Sequence, residues 1–157
     1  MEPLIKIQVI DSVAFLTLNR IKKHNAISPD LIHLLLENLN HISALESVHT
    51  VAFSGNGSSF CSGADLNWIS NASDEEKKLF SIMLEKISSL DKIFITQVHG
   101  SCLGGAMGFL LVSDYVLAHE NTKFQFPELR HGIFPKIILP HMIHSLGAHK
   151  SRRLLLM

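Results

Sequence analysis

An excess of charge of either sign is missing from this sequence: 14 Lys and Arg stand against 14 Asp and Glu, a formal net charge of zero. That balance removes the positive field by which a domain grips nucleic acid or an anionic lipid surface, so neither is expected as a partner. The ten histidines add positive charge only below about pH 6.5, and they are scattered from His24 to His149 without forming a basic block. Cysteine is scarce as well. Cys61 and Cys102 alone do not make the disulfide framework of a small secreted domain. The opening Met1-Glu2-Pro3 lacks a basic segment ahead of an apolar run, and a reducing, cytoplasmic setting is expected. Apolar runs such as Phe109 to Val112 or Ile137 to Leu139 fall far short of the roughly 18–20 residues that span a bilayer. What the chain does have is 46% hydrophobic and 18% charged residues over 157 positions. This predicts one globular domain over residues 1–157, able to bury roughly 68–70% of its unfolded surface.

The hydrophobic pattern changes period along the chain. Ile5, Ile7 and Val9 alternate with Lys6 and Gln8, and Ala14 to Leu18 forms a second β-type run after Asp11-Ser12, which predicts a hairpin. Ser28 and Pro29 then suit the N-cap and first position of a helix carrying Leu31, Leu34, Leu35 and Ile42. Val51 to Phe53 reads as a buried strand running into a loop over Ser54 to Ser59. Ser73 with Glu76 forms a capping-box pattern, and Leu79, Ile82, Met83, Ile87 and Leu90 mark the helix behind it. A strand is predicted over Ile93 to Val98, a buried helix over Ala106 to Val112, and a short strand around Tyr115 to Ala118. A last helix is predicted from about Ala148, ending on the apolar Leu154 to Met157 without a cap. The order strand, loop, helix recurs, which defines an α/β chain.

Two of the loops, Ser58 to Leu66 and His99 to Ala106, each follow a strand and precede a helix. Such loops aim backbone N–H groups at one point, because the first N–H groups of a helix lack internal partners and glycine lets a ligand approach closely. Their sequences, V-A-F-S-G-N-G-S-S-F-C-S-G-A-D-L and V-H-G-S-C-L-G-G-A-M-G-F-L-L-V-S-D-Y-V-L-A, precede F-P-E-L-R-H-G-I-F-P. With L-N-R-I-K-K-H-N-A-I-S at Leu18 to Ser28, these four segments resemble the enoyl-CoA hydratase/isomerase family, also called crotonases. In the H-G-I-F-P-K-I-I-L-P-H segment the look is that of bacterial methylglutaconyl-CoA hydratases.

The resemblance implies a crotonase spiral of β-β-α units, lacking the family's C-terminal helical region, and an acyl-CoA thioester as ligand. Coenzyme A is part of that substrate, so no separate cofactor and no metal is implied. It also implies a homo-oligomer, trimeric or hexameric in the family, although much of that contact belongs to the C-terminal helices. By motif position the backbone N–H groups of Ala64 and Gly105 form the oxyanion hole for the thioester carbonyl. Ala64, Asp65, Leu66, Asn67 and Gly105, with Asn25 and Ala26, lie along the substrate. Lys22 and Lys23 are either phosphate contacts or solvated loop lysines.

The acid/base group is harder to assign. Family hydratases commonly use two glutamates; the first position is Gly108 here, and the second is Glu128, behind the apolar Phe126-Pro127. Three readings stay open: a hydratase, an isomerase that moves one proton with one carboxylate, and an inactive fragment or interaction protein. Other candidates weigh less. His141 and His144 share an i, i+3 spacing but have no Glu-x-x-His or cysteine partner, so a structural role is expected. Cys61 and Cys102 are expected as free buried thiols. Asp114 is expected to pin the end of its helix, and Trp68 to be core or pocket wall.

Overall fold

The structure, a computed structural model, describes residues 2–132 and 134–156. Ile133, inside the third motif, and Met157, the last residue of the apolar ending, lie outside the described residues. Strands β1 (Ile5–Ile10) and β2 (Val13–Leu18) form the expected antiparallel hairpin, registered from Ile5 opposite Leu18 to Ile10 opposite Val13. Ser28 caps α1 (Pro29–Ala44): its hydroxyl accepts from the Leu31 amide at 3.4 Å, and Pro29 opens the first turn. The 3.6-residue period then buries Leu31, Ile32, Leu35, Leu39 and Ile42 against the sheet.

Strand β3 (Thr50–Gly55) lies parallel to β2. It runs two residues further than the sequence suggests, because Ser54 and Gly55 still pair with Thr17 and Leu18. A single turn, α2 (Leu66–Ile69), leads to α3 (Asp74–Ser88), where Ser73 and Glu76 complete a capping box. The buried face of α3 is Phe80, Met83, Leu84 and Ile87. Ile82, expected on that face, is 43% exposed, because it falls between the i, i+3 and i+4 positions that the buried four occupy.

Strands β4 (Ile93–Val98) and β6 (Tyr115–Ala118) extend the parallel run, giving a five-stranded sheet ordered β1-β2-β3-β4-β6. Between them lie β5 (Ser101–Leu103), a 3₁₀ turn over Gly104–Ala106 and the short helix α4 (Met107–Leu111). Strand β7 (Lys123–Gln125) pairs parallel with β5 in a second, two-stranded sheet that the sequence does not announce. Asp114 ties the start of β6 to β4 rather than closing a helix, since its carboxylate accepts from the Phe94 amide at 2.7 Å and its own amide donates to the Phe94 carbonyl.

The last helix, α5 (Leu139–Leu156), begins before the expected Ala148 and is jointed at Gly147, whose φ of 77° is non-helical. Leu155 packs on the core while Leu154 and Leu156 remain exposed. No helix among the described residues is long and apolar enough to cross a membrane. An aromatic cluster joins sheet to loops: Phe53 of β3 lies 5.6 Å from Phe60 and 5.1 Å from Phe109, centroid to centroid. Phe60 sits in the loop after β3 and Phe109 in α4, so ring packing, edge-to-face for Phe60 and tilted for Phe109, fixes both chain segments to one core.

Candidate active site

Two chain paths leave neighbouring strand ends and are stitched together. Phe60 donates to the His99 carbonyl, Cys61 to Ser101 and Leu103 back to Cys61, at 2.9, 3.1 and 3.1 Å, which sets Cys61 directly opposite Cys102. On the other side Ile27 donates to Gly63 and accepts from Asp65, both at 2.8 Å. The Gly63-Ala64 peptide is thereby held between Ile27 and the Leu103 to Gly105 turn.

Gly63 is needed there on two counts. Its φ is +90°, and a Cβ would stand 2.6 Å from the Leu103 carbonyl oxygen and 3.6 Å from the Gly105 nitrogen. A Cβ on Gly105 would likewise stand 3.8 Å from the Ala64 nitrogen. The two backbone nitrogens therefore border one small space, and neither N–H finds an acceptor among the described residues. Unpaired N–H groups on a fixed backbone are the kind of donor that a developing oxyanion requires.

The short β5–β7 sheet brings a carboxylate to this space. Leu103 pairs with Gln125, and the chain then enters a 3₁₀ turn over Pro127–His131 that carries Glu128. The Glu128 carboxylate oxygens lie 2.7 and 2.8 Å from where a Cβ on Gly104 would be. Gly104 is thus required both by its φ of +51° and by the carboxylate resting against it. Glu128 is half-buried, and burial pushes its pKa above the ordinary glutamate value.

Gly108 has a different neighbourhood. It is buried, and a Cβ there would meet Ile138 Cγ2 and Leu84 Cδ1, both at 2.9 Å. Apolar side chains from α3 and from the segment leading into α5 fill the room that a second carboxylate would need.

Asn25 is locked into its own loop. Its side chain is fully buried, and its amide donates to the carbonyls of Asn56, Ser59 and Phe60 at 2.9, 3.0 and 3.0 Å. Its Oδ1 accepts from the Arg20 amide at 2.9 Å. With every polar atom engaged inside the protein, Asn25 shapes the loop and has no side-chain group left for a ligand. Ala26 is also nearly buried, and its carbonyl accepts from Arg20 at 3.0 Å. Leu66 and Asn67 are exposed at the start of α2; the Asn67 amide donates to Asp65 Oδ1 at 3.1 Å. Lys22 and Lys23 are exposed on a 3₁₀ turn.

Arg20, which sequence reasoning passed over although it stands in the quoted L-N-R segment, pairs with Asp65 at 2.9 Å. The guanidinium beside Asp65 holds its carboxyl below the usual carboxylate range. Both thiols are buried and free. Burial pushes Cys61 up to about 12 and raises Cys102 as well, so neither is a nucleophile at neutral pH. His141 and His144 gain no third ligating side chain among the described residues.

The sequence profile of the enoyl-CoA hydratase/isomerase family matches residues 8–157. The chain belongs to that family. Among its relatives are the bacillaene synthase dehydratase PksH of Bacillus subtilis, 29% identical over 98% of this chain and 61% of its own length. The 2,3-dehydroadipyl-CoA hydratase of Escherichia coli is 29% identical over 92% of this chain and 58% of its own. Solved structures agree on the crotonase fold. AtuE of Pseudomonas aeruginosa superposes with a TM-score of 0.92 at 27% identity, covering 98% of this chain and 62% of that one. An enoyl-CoA hydratase of Shewanella pealeana gives 0.91 at 28% identity, with 98% and 61% covered. The chain thus spans about three fifths of the length of these family members.

Proposed function

We propose that this chain binds an acyl-CoA thioester and catalyses hydration of a 2-enoyl-CoA, with the thioester oxygen held between the Ala64 and Gly105 N–H groups. The observation that carries this reading is the convergence of two unpaired N–H groups and the Glu128 carboxylate around Gly104. Glu128 takes a proton from water as the oxygen bonds to C3, and the π electrons move onto the thioester oxygen as an enolate. The same carboxyl returns the proton to C2, and one water has been added. The oxyanion contribution is large in such sites: removing one donor typically costs about 2.7–4 kcal/mol of transition-state stabilisation.

A second reading rests on Gly108. With Leu84 and Ile138 filling that position, Glu128 is the only carboxylate offered by the two motif positions. A single carboxylate suffices for an isomerase, which removes a proton from C2 of a 3-enoyl thioester and delivers it to C4. Absorbance of the conjugated enoyl thioester separates the two: hydration of a 2-enoyl or methylglutaconyl thioester lowers it, and isomerisation of a 3-enoyl thioester raises it. Hydration is the expected result. A chain that gives neither change, and whose melting temperature does not rise with any acyl-CoA at saturating concentration, is not an enzyme of this class.

Self-association in a cytoplasmic oligomer forms part of the proposal. Tyr115, Val116 and Leu117 of edge strand β6 and Phe124 of β7 are exposed large apolar side chains, of the kind that marks a protein contact. Sedimentation should give an oligomer at micromolar concentration, and a monomer throughout would refute it.

A further inference from the structure

Asp65 follows Ala64 directly, so its Cα lies about 3.8 Å from that of the residue whose N–H is to hold the enolate oxygen. Its carboxylate is fixed in place, because Oδ1 caps α2 through the Asn67 amide at 3.1 Å. A negative charge fixed on the residue that follows the donor opposes a negative charge developing at that donor, the more so as the Asp65 side chain is 18% exposed and that of its partner Arg20 21%. Arg20 meets the other oxygen: Nη1 donates to Asp65 Oδ2 at 2.9 Å and to the Ala26 carbonyl at 3.0 Å. The arginine is itself held, since its amide donates to Asn25 Oδ1 and Asn25 in turn grips the carbonyls of Asn56, Ser59 and Phe60.

We propose that Arg20 is a positioning residue for the enolate site: it cancels the charge of Asp65, leaving the Ala64 and Gly105 N–H groups to act on the substrate's charge alone. The proposal rests on the function proposed above. It explains why an α2 cap that serine, asparagine or aspartate can supply equally carries a charged group beside an oxyanion: the cap and the cation act as one neutral unit. Lys23 adds a weaker attraction to the same carboxylate.

The probe is 3-oxobutanoyl-CoA, whose enolate absorbs more strongly in the near ultraviolet than its keto form, so enolisation of the bound ligand is read without turnover. Arg20→Met and Arg20→Gln, the latter retaining a donor for the Ala26 carbonyl, are expected to lower the enolisation constant of the bound thioester about tenfold, with binding changed less. Arg20→Lys should stay near wild type. Arg20→Met with Asp65→Asn should recover most of the loss, because asparagine keeps the cap without the charge. Neutral variants that enolise the ligand as well as wild type overturn the proposal. So does a double variant no better than Arg20→Met, which would make the arginine a spacer and not a counter-charge. A wild-type chain that binds the thioester without enolising it, or does not bind it, refutes the proposed function itself and with it the role of Arg20.

Discussion

Glu128→Gln is expected to lower turnover of an enoyl-CoA thioester by about 10²–10⁴-fold while leaving thioester binding within roughly threefold of wild type. The amide keeps the volume of the carboxyl that rests against Gly104, so the turn and the neighbouring N–H groups stay where they are. What it loses is proton exchange at neutral pH. The pH dependence gives a second signature. Burial raises the Glu128 pKa, and as a base the group works ionised, so kcat/KM should fall as pH drops through a value above the ordinary glutamate range. The glutamine variant should lack that limb. Stability follows the opposite sense: a carboxyl whose folded pKa is raised weakens the fold as pH rises through it. Glu128→Gln should therefore melt at or above the wild-type temperature at neutral pH. Hydration of a 2-enoyl thioester that survives the substitution would remove Glu128 from the mechanism.

Gly108→Glu is expected to be strongly destabilising, and it should not create a second working carboxylate. A Cβ at this position already stands 2.9 Å from Leu84 Cδ1 and Ile138 Cγ2, and the longer side chain must displace both. Overpacking a core costs about 1–3 kcal/mol, and a buried carboxylate without a partner costs several more. A loss of more than about 4 kcal/mol corresponds to a fall in melting temperature of roughly 10 °C or more for a chain of this size. Thermal melts of Gly108→Glu beside Gly108→Ala measure it: the alanine should lose about 1–2 kcal/mol by crowding alone. A glutamate variant as stable as wild type and faster in hydration would show that the position is open and that Leu84 and Ile138 do not fill it.

Local signals were legible where a single residue type has one physical use. Ser28 with Pro29 and Ser73 with Glu76 start their helices as their side chains require, and the alternation in Ile5 to Val9 gives the hairpin. The family, the two glycine loops and Glu128 were legible as motifs. The adjacency of the two loops followed from the resemblance; the β5–β7 pairing that carries Glu128 to them was not legible, because these strands have three residues each. Such strands are too short to show a period, and they pair across a stretch that contains α4 and β6. The loop-building role of the Asn25 side chain was not legible for a related reason: an asparagine in a turn at φ +56° does not show which carbonyls its amide will meet. The sequence at Gly108 showed that a carboxylate was missing, but only packing reveals that Leu84 and Ile138 occupy its room.

If the Ala64 and Gly105 N–H groups together grip a thioester carbonyl, the carbon-13 resonance of that carbonyl reports it. A 2-butenoyl-CoA labelled at C1 is bound to the Glu128→Gln chain, which holds the thioester without turning it over. Two hydrogen-bond donors polarise the carbonyl and move its resonance downfield of the free ligand's position, and that shift is the result expected. A bound thioester whose carbonyl resonance stays where it is in water would mean that the ligand is held elsewhere than between these two loops, and that the two N–H groups do not form an oxyanion hole.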